Sequence, residues 1–294
     1  MIAVDWGTSS LRVYRLDANG KVRATRSSSK GILNIGDATF ATTLESEAGD
    51  WIDEGEQPIV MSGMIGSRQG WVEADYVSCP AGVSEIASSM SEVTWGTHSA
   101  WLAPGLRCRH PAGVYDVMRG EEVQVLGIAD QLDGGEHRIC LPGTHSKWVS
   151  VRDHKIVAFT THMTGEVFSI LKEHSILGHT MTAQKFSKAA FLDGVARAGQ
   201  ANGLLHHLFG VRAQVLSDEL AQDASAAYLS GILIGHELSS ATSGQEVIHL
   251  LGSAELTDLY SLAANAMSIG VIIHEADAVA RGLYALAQRL AGQA

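Results

Sequence analysis

The chain has 294 residues, a length typical of about two domains and ample for a sizeable hydrophobic core. Its 21 basic and 32 acidic side chains give a net charge of −11, which disfavours a nucleic-acid partner because an acidic surface repels phosphate backbones. Hydrophobic residues make up 46% and charged residues 18%, a composition that excludes a disordered chain. A phosphorylated small ligand remains compatible with this charge, because local backbone N–H groups can hold it.

The cysteine pattern and the N-terminal sequence indicate a cytoplasmic protein. Cys79, Cys108 and Cys140 are odd in number, widely spaced and form no C-x-x-C pair, which disfavours a disulfide framework or a structural zinc site. The opening MIAVDWGTSS lacks the basic and apolar regions of a secretory signal. No apolar run reaches the ~18 residues that a membrane span needs, so no membrane partner is expected. The oligomeric state stays open, with a homodimer as one alternative.

The first elements follow from strand periodicity. Residues 2–6 form a short apolar run that carries one acid, Asp5, and residues 11–16 and 21–27 alternate between apolar and polar. The turns between them predict an antiparallel meander. A helix is then predicted over 37–51 from its apolar spacing. A buried strand over 58–61 feeds a glycine-broken loop at 62–67.

The middle of the chain repeats this order. Strands are predicted at 138–141, 148–151 and 156–160, followed by a helix at 165–177. The repeat predicts two related α/β domains. The first spans 1–128, with the final helix (277–294) packing back on it, and the second spans 129–276.

Helices and strands alternate towards the C-terminus. Helices are predicted at 224–239, 254–267 and 277–290, and strands at 247–251 and 271–274. Gly231 and Gly235 share one face of the first of these helices, which suits close packing against a neighbour.

Two Gly-Thr turns carry the first chemical signal. Gly7-Thr8-Ser9 and Gly143-Thr144-His145 each follow a strand, and such turns present backbone N–H groups that can hold phosphate. Asp5, beside the first turn, could hold Mg²⁺ through water. The alternative is an ordinary hairpin in which Asp5 caps its own turn. Two such turns in a repeat favour the phosphate interpretation.

Two further motifs complete the pattern. Glu121 and Glu122 follow Gly120 at a helix start, where acids are stabilised by the helix dipole. Lying between the two turns in sequence, Glu121 could also accept a proton from a hydroxyl during phosphoryl transfer. Gly252-Ser253 ends a strand before a helix and would let a flat ring or ribose approach the backbone, although routine glycine use explains it equally well.

The order of these motifs resembles the actin-like ATPase and sugar-kinase superfamily. That resemblance implies two ribonuclease-H-like domains with an interdomain cleft, and ATP and Mg²⁺ as cofactors. The strings DWGTSSLR, MSGMIGSRQGW, VMRGEE, LPGTHSKW and HMTGE further resemble the 2-dehydro-3-deoxygalactonokinase family. The resemblance implies nucleotide contacts from Asp5, Gly7, Thr8, Ser9, Gly143, Thr144, His145, Lys147, Gly252 and Ser253.

The family resemblance implies phosphorylation of the 6-hydroxyl of 2-dehydro-3-deoxy-D-galactonate in galactonate or galactose catabolism. Glu121 stands where the superfamily places its catalytic acid, usually Asp, and the adjacent Glu122 leaves open which acid acts. Lys147 or Arg12 could stabilise the transferring oxygens. The substrate carboxylate needs a cation or N–H donors. The candidates that stay open for it are Arg68, Arg119 and the loop residues Ser62, Gly63, Met64 and Gly66.

Two alternatives to this function remain. One is a kinase for another sugar or sugar acid within the superfamily, which an acceptor assay would distinguish. The other is an actin-like ATPase whose product is a conformational state or filament. The length of 294 residues disfavours the second, because it leaves little room for assembly or peptide-binding subdomains.

Overall fold

The computed structural model describes residues 1–181, 186–242, 247–275 and 277–292. Residue 276, the end of the second predicted domain, and residues 293–294 lie outside that description. The strands are β1 (Ile2–Trp6), β2 (Leu11–Leu16), β3 (Val22–Ser28), β4 (Ile59–Ser62), β5 (Tyr76–Ser78), β6 (Ser91–Trp95), β7 (His98–Leu102), β8 (Gly105–Arg109), β9 (Tyr115–Met118), β10 (Glu136–Leu141), β11 (Ser146–Arg152), β12 (Lys155–His162), β13 (Val247–Leu250) and β14 (Gly270–Ile273). The helices are α1 (Phe40–Asp53), α2 (Val83–Ala87), α3 (Glu121–Ala129), α4 (Thr164–His174), α5 (Lys188–Ala198), α6 (Gly203–Leu216), α7 (Ser225–Ala241), α8 (Ala254–Ala266) and α9 (Ala278–Ala291).

Two sheets share one strand order, which confirms the predicted repeat. The first runs β3-β2-β1-β4-β7-β6 and the second β12-β11-β10-β13-β14. In the first, β1 pairs antiparallel with β2 and parallel with β4. In the second, β13 pairs parallel with both β10 and β14. An outer meander beside parallel central strands is therefore built twice.

Every strand and helix predicted above exists, with boundaries that differ by at most three residues. The predicted loop at 62–67 contains a short 3-10 turn at Met64–Gly66. A small three-stranded sheet, β5-β8-β9, the strands β6 and β7 of the first sheet, and the helices α2, α5 and α6 were not predicted. The strands of that small sheet are only three to five residues long, too short for a periodic signal.

The chain divides into two compact units. The first comprises Met1–His137, Val149–Phe159 and Glu275–Ala294, and the second Arg138–Trp148 and Thr160–His274. In the first unit α9 packs closely on α3, and the Arg281 guanidinium donates to the carbonyl of Gly127 at 2.9 Å. None of the described helices is long and apolar enough to cross a membrane.

The core of the second unit depends on a close helix pair, α5 and α7. A Cβ atom at Gly231 would lie 2.0 Å from the Phe191 carbonyl oxygen, and one at Gly235 would lie 2.7 Å from the Ala198 side chain. This confirms the predicted role of the two glycines. Phe191 and Trp148, both fully buried, belong to the hydrophobic cluster around this pair.

Candidate active-site residues

The first Gly-Thr turn is held by the chain segment that follows β3. The N–H of Gly7 donates to the Ser10 carbonyl at 2.9 Å and closes the turn. The carbonyls of Gly7 and Thr8 accept from the N–H groups of Ile32 and Leu33, at 3.0 and 3.2 Å. Thr8 and Ser9 are exposed, and within the described chain no hydrogen bond uses their N–H groups. The turn therefore offers two successive donors to a ligand, as an anion site requires.

Asp5 and Glu121 are electrostatic neighbours beside this turn. Asp5 lies in register with Ser62 on β4 and with Arg12 on β2. Burial raises the pKa of Asp5; the Arg12 guanidinium, 3.7 Å from its carboxylate, opposes the rise, and the negative charge of Glu121 adds to it. Two acids that disfavour each other's ionisation make a place where a cation is stabilised.

Glu121 and Glu122 occupy different environments at the start of α3. Glu122 is fully buried, and both of its carboxyl oxygens accept from the Gly120 N–H, at 2.9 and 2.7 Å. Burial, with the charge of Glu121 adding, raises the pKa of Glu122 to about 8. Glu121 is only partly buried and accepts from the Arg119 N–H at 3.0 Å. Of the two acids, Glu121 is the more exposed.

Backbone segments from three elements meet beside these acids. Gly63, with φ +97°, follows β4, and a Cβ there would lie 2.7 Å from the Trp6 carbonyl oxygen. Gly120, with φ +105°, precedes α3, and a Cβ there would lie 3.1 Å from Cα of Gly63. Only glycine combines a positive φ with such close approach. The loop of MSGMIGSRQGW and the acids of VMRGEE are thereby brought together.

Arg119 lies buried behind this junction. One of its terminal nitrogens donates to the Ala74 carbonyl at 2.7 Å, and the guanidinium carbon stands 4.5 Å from the centre of the Tyr76 ring. A Cβ at Gly66 would lie 3.0 Å from the other terminal nitrogen. That nitrogen and Nε, like the hydroxyl of Ser62, are buried without a protein partner in the described residues. Buried donors without acceptors are costly, so these groups are suited to bind a polar ligand.

Arg68 and Met64, which were also predicted to bind the substrate, have surroundings different from those of Arg119. Arg68 is a surface residue, its side chain 88% exposed, and it pairs with Glu73 at 3.4 Å. Met64 packs against the hydrophobic core of the first unit. The structure therefore places Arg119, and not Arg68, next to Gly66.

The second Gly-Thr turn is held by the start of α4. The Glu166 N–H donates to the Thr144 carbonyl at 3.0 Å, and the Glu166 side chain pairs with His145. Thr144 and His145 are exposed, and the described residues accept no hydrogen bond from their N–H groups. Lys147 is buried and donates to the Thr161 hydroxyl at 2.8 Å. The tip of this turn thus repeats the free donors of the first, and Lys147 is bonded to β12 through Thr161.

A cavity of about 450 Å³ lies beside the second turn, within the second unit. Gly143, at the turn, and Phe168 on α4 form part of its lining. Glu255 and Leu256, just after the predicted Gly252-Ser253 motif, line another wall. A Cβ added at Gly252 would lie 3.6 Å from Pro142, so the motif lies next to the turn. A cavity of this size with apolar walls and a few polar groups is suited to a ring-containing ligand.

Sequence reasoning missed several residues around this cavity. Glu237 and Tyr260 are buried and joined by a 2.6 Å hydrogen bond behind the second turn. Glu237 is the sole acidic residue in α7, and an isolated acid in an apolar helix is the signal that could have found it. Nothing in the spacing of the small residues in α7 predicts that Ser230 lines the cavity.

Comparisons with known proteins agree with these features. The family model for 2-keto-3-deoxy-galactonokinase matches residues 5–286. A protein of Rhizobium meliloti (strain 1021) assigned as a 2-dehydro-3-deoxygalactonokinase is 40% identical over 300 residues, covering 98% of this chain and 96% of that one. The crystal structure of a Sinorhizobium meliloti protein with the same assignment is 39% identical, with a TM-score of 0.91 and 98% coverage of both chains.

A more distant likeness concerns the fold alone. The Clostridium difficile activator of 2-hydroxyisocaproyl-CoA dehydratase has a TM-score of 0.51 and is 12% identical, covering 100% of this chain and 97% of that one. Together with the repeated sheet order, this likeness shows the predicted actin-like ATPase fold.

Proposed function

Because the chain belongs to the 2-keto-3-deoxy-galactonokinase family and is therefore a carbohydrate kinase, we propose that it phosphorylates the 6-hydroxyl of 2-dehydro-3-deoxy-D-galactonate. ATP is the phosphoryl donor, and the product is 2-dehydro-3-deoxy-6-phospho-D-galactonate. The reaction would serve galactonate or galactose catabolism in the cytoplasm. The observation that carries the choice of a sugar acid is the buried Arg119, whose Nε and one terminal nitrogen have no acceptor among the described residues.

The first unit supplies the residues that act on the acceptor. Arg119 binds the substrate carboxylate through Nε and its terminal nitrogen, and the charge of the guanidinium strengthens both hydrogen bonds. The Ser62 hydroxyl, also without a partner, binds a substrate hydroxyl or the same carboxylate. Glu121 accepts the proton of the 6-hydroxyl as the oxygen attacks the γ-phosphoryl group. Gly63, Met64 and Gly66 shape the backbone around the sugar acid, and Arg68 attracts it from the surface.

Both Gly-Thr turns supply donors for the nucleotide. The N–H groups of Thr8 and Ser9 in the first unit, and of Thr144 and His145 in the second, bind phosphate oxygens. Gly7 and Gly143 shape these turns. The base and ribose occupy the cavity of the second unit, which Phe168 and Glu255 line. Gly252-Ser253, just before Glu255, would let the ribose approach the backbone. Lys147 and Arg12 add positive charge for the transferring oxygens.

The residues beside the first turn fit a magnesium ion. The described chain holds no cluster of three side chains with metal-ligand chemistry, but Mg²⁺ keeps several waters and takes oxygens from the nucleotide. Asp5 would hold it through water, and the neighbouring charge of Glu121, which raises the pKa of Asp5, is what a cation would offset. When bound, Mg²⁺ neutralises charge that develops on the phosphoryl group.

An acceptor assay tests this function. ATP consumption would be followed with the 2-dehydro-3-deoxy acids of the galacto and gluco series and with galactonate and gluconate. We expect turnover with the galacto keto-deoxy acid, and ³¹P NMR of the product should show a primary phosphate ester at C6. Turnover restricted to neutral sugars would contradict the proposal. ATP hydrolysis unaffected by any sugar acid would do the same.

A further inference from the structure

A buried carboxylate lies behind the second turn. Glu237 is 3% exposed, and three donors from separate elements converge on it. The Trp148 indole N–H donates to Oε1 at 2.7 Å, and the Tyr260 hydroxyl donates to Oε2 at 2.6 Å. The Thr164 hydroxyl, at the start of α4, also donates to Oε2. Glu237 thereby ties α4, α8 and β11 to one point on α7.

The carboxylate fixes the direction of a chain of hydrogen bonds. A carboxylate only accepts, so Tyr260 donates its one proton to Glu237 and its oxygen accepts from Ser146, 2.9 Å away. Burial, together with the negative charge of Glu237, raises the pKa of Tyr260, so that proton stays in place. Ser146 then has no proton for the Gly143 carbonyl at 3.5 Å, and its oxygen instead accepts from the Gly143 N–H at 3.4 Å.

We propose that Glu237 is a positioning residue for the nucleotide phosphates. Through Tyr260 and Ser146 it holds the Gly143 N–H inside the turn, which keeps the neighbouring N–H groups of Thr144 and His145 available for phosphate. Its bond to Thr164 fixes the start of α4, from which the Glu166 N–H holds the Thr144 carbonyl. The inference rests on the proposed function, since it concerns how the second turn binds a nucleotide.

An isosteric substitution of Glu237 reverses the donor and acceptor roles along this series of hydrogen bonds. In Glu237→Gln the amide oxygen must face Trp148, because the indole N–H can only donate. The amide NH₂ then faces Tyr260 and Thr164, so Tyr260 must accept and donate its proton to Ser146. Ser146 in turn directs its hydroxyl hydrogen towards Gly143, whose carbonyl and N–H lie 3.5 and 3.4 Å from the same oxygen, so the hydrogen bond from the Gly143 N–H is weakened. The variant thus changes hydrogen-bond polarity at the turn with little change in packing.

The test measures the dissociation constants of ADP and adenosine by calorimetry. Wild type is compared with Glu237→Gln, Ser146→Ala and the double variant. Ser240→Ala is the matched control, because its hydroxyl contacts the Glu237 backbone carbonyl and not the carboxylate. We expect Glu237→Gln and Ser146→Ala each to raise the Kd of ADP about tenfold, equivalent to about 1.4 kcal/mol, and that of adenosine less than about twofold. The double variant should be no worse than Ser146→Ala, because Glu237→Gln acts through the acceptor that Ser146→Ala removes.

Kinetics and unfolding separate positioning from general damage. The KM of ATP should rise with the KM of the sugar acid unchanged, and thermal unfolding should stay close to wild type. Equal loss of ADP and adenosine binding, additive effects in the double variant, or an unchanged ADP affinity would overturn the inference. If Glu237→Gln does not fold, an unchanged Kd of ADP in Ser146→Ala is by itself sufficient to overturn the inference. Absence of ADP binding in the wild type would refute nucleotide binding itself, and the positioning role with it.

Discussion

The two Gly-Thr turns are alike at their tips and different behind them. Each follows the central strand of a sheet with the same order, and each has two exposed residues whose N–H groups are unused within the described chain. Behind the first turn stand backbone groups of Ile32 and Leu33, with Asp5 and Glu121 beside it. Behind the second stand the buried side chains of Glu237 and Tyr260, with an apolar cavity beside it.

This difference assigns the two turns separate tasks. A phosphate group needs only N–H donors, which both tips supply. We propose that the acids beside the first turn hold the metal through water and accept the proton, which suits that unit to the reacting hydroxyl. The cavity beside the second turn adds burial for a ring, so that unit is suited to the nucleoside. One architecture therefore serves two ligands according to which side chains surround a common turn.

The variant Glu121→Gln is the strongest test of the proposed difference between the two turns. Loss of a general base typically lowers kcat by about 10²–10⁴-fold, equivalent to about 3–5 kcal/mol. The Kd of ADP should stay near wild type, because the base acts on the acceptor. Stopped-flow or coupled assays would measure kcat, with Glu122→Gln as the control of much smaller effect. If the ranking of the two variants is reversed, the role moves to Glu122.

Arg119→Met tests whether the first unit recognises an acid. We expect the KM of the sugar acid to rise by about 10–100-fold, since charge-assisted hydrogen bonds contribute about 1.5–3 kcal/mol. Arg68→Met, which removes an exposed arginine from the same loop region, should change this KM much less.

Stability separates this role of Arg119 from a structural one. Two of its nitrogens lack partners, so the guanidinium adds little to the fold, and we expect Arg119→Met to unfold within a few degrees of wild type. A large loss of stability with an unchanged KM would make Arg119 a structural residue.

The variant Asp5→Asn tests whether the metal is held beside the first turn. The variant keeps the size of the side chain and removes its charge, so the magnesium concentration for half-maximal activity should rise by about tenfold. Titrating Mg²⁺ at fixed ATP measures this requirement, and Ser10→Ala in the same turn serves as a control. Wild-type rates with unchanged magnesium dependence would leave Asp5 as a turn cap.

Local sequence patterns predicted the sheets because both repeats carry strong periodic signals. The apolar run at Ile2–Trp6 and the alternation at Leu11–Leu16 each specify a strand without reference to distant residues. The glycine pair in α7 likewise predicted close helix packing. The small sheet of β5, β8 and β9 was not predicted, because its strands are short and because β5 pairs with β8 across 29 residues, from Tyr76 to Gly105.

The parts of the candidate site that lie in contiguous motifs could be predicted from sequence. The parts that the fold assembles from distant residues could not. Glu121 and the Gly-Thr turns stand in short strings. The choice between Arg68 and Arg119 could not be made from sequence, because it depends on the packing of Gly66 and Tyr76 around one of them. Glu237 lies 89 residues from Trp148, and no local pattern links the two.

The last prediction concerns pH and the two adjacent acids. Glu122 ordinarily has a pKa of 4.5, raised to about 8 by burial in the folded protein. Between these values the folded state keeps a proton that the unfolded state has released, so the free energy of unfolding falls as pH rises, by up to about 1.4 kcal/mol per pH unit. Glu122→Gln cannot titrate, so the stability of wild type relative to this variant should fall from pH 5 to pH 8 and then level off. Urea unfolding at several pH values measures the difference, and Asp5, whose pKa is also raised, remains in both proteins. Parallel stability curves for the two proteins would show that Glu122 does not hold a proton. Glu122 would then be ionised like Glu121, and a difference in protonation would no longer single out Glu121 as the proton acceptor.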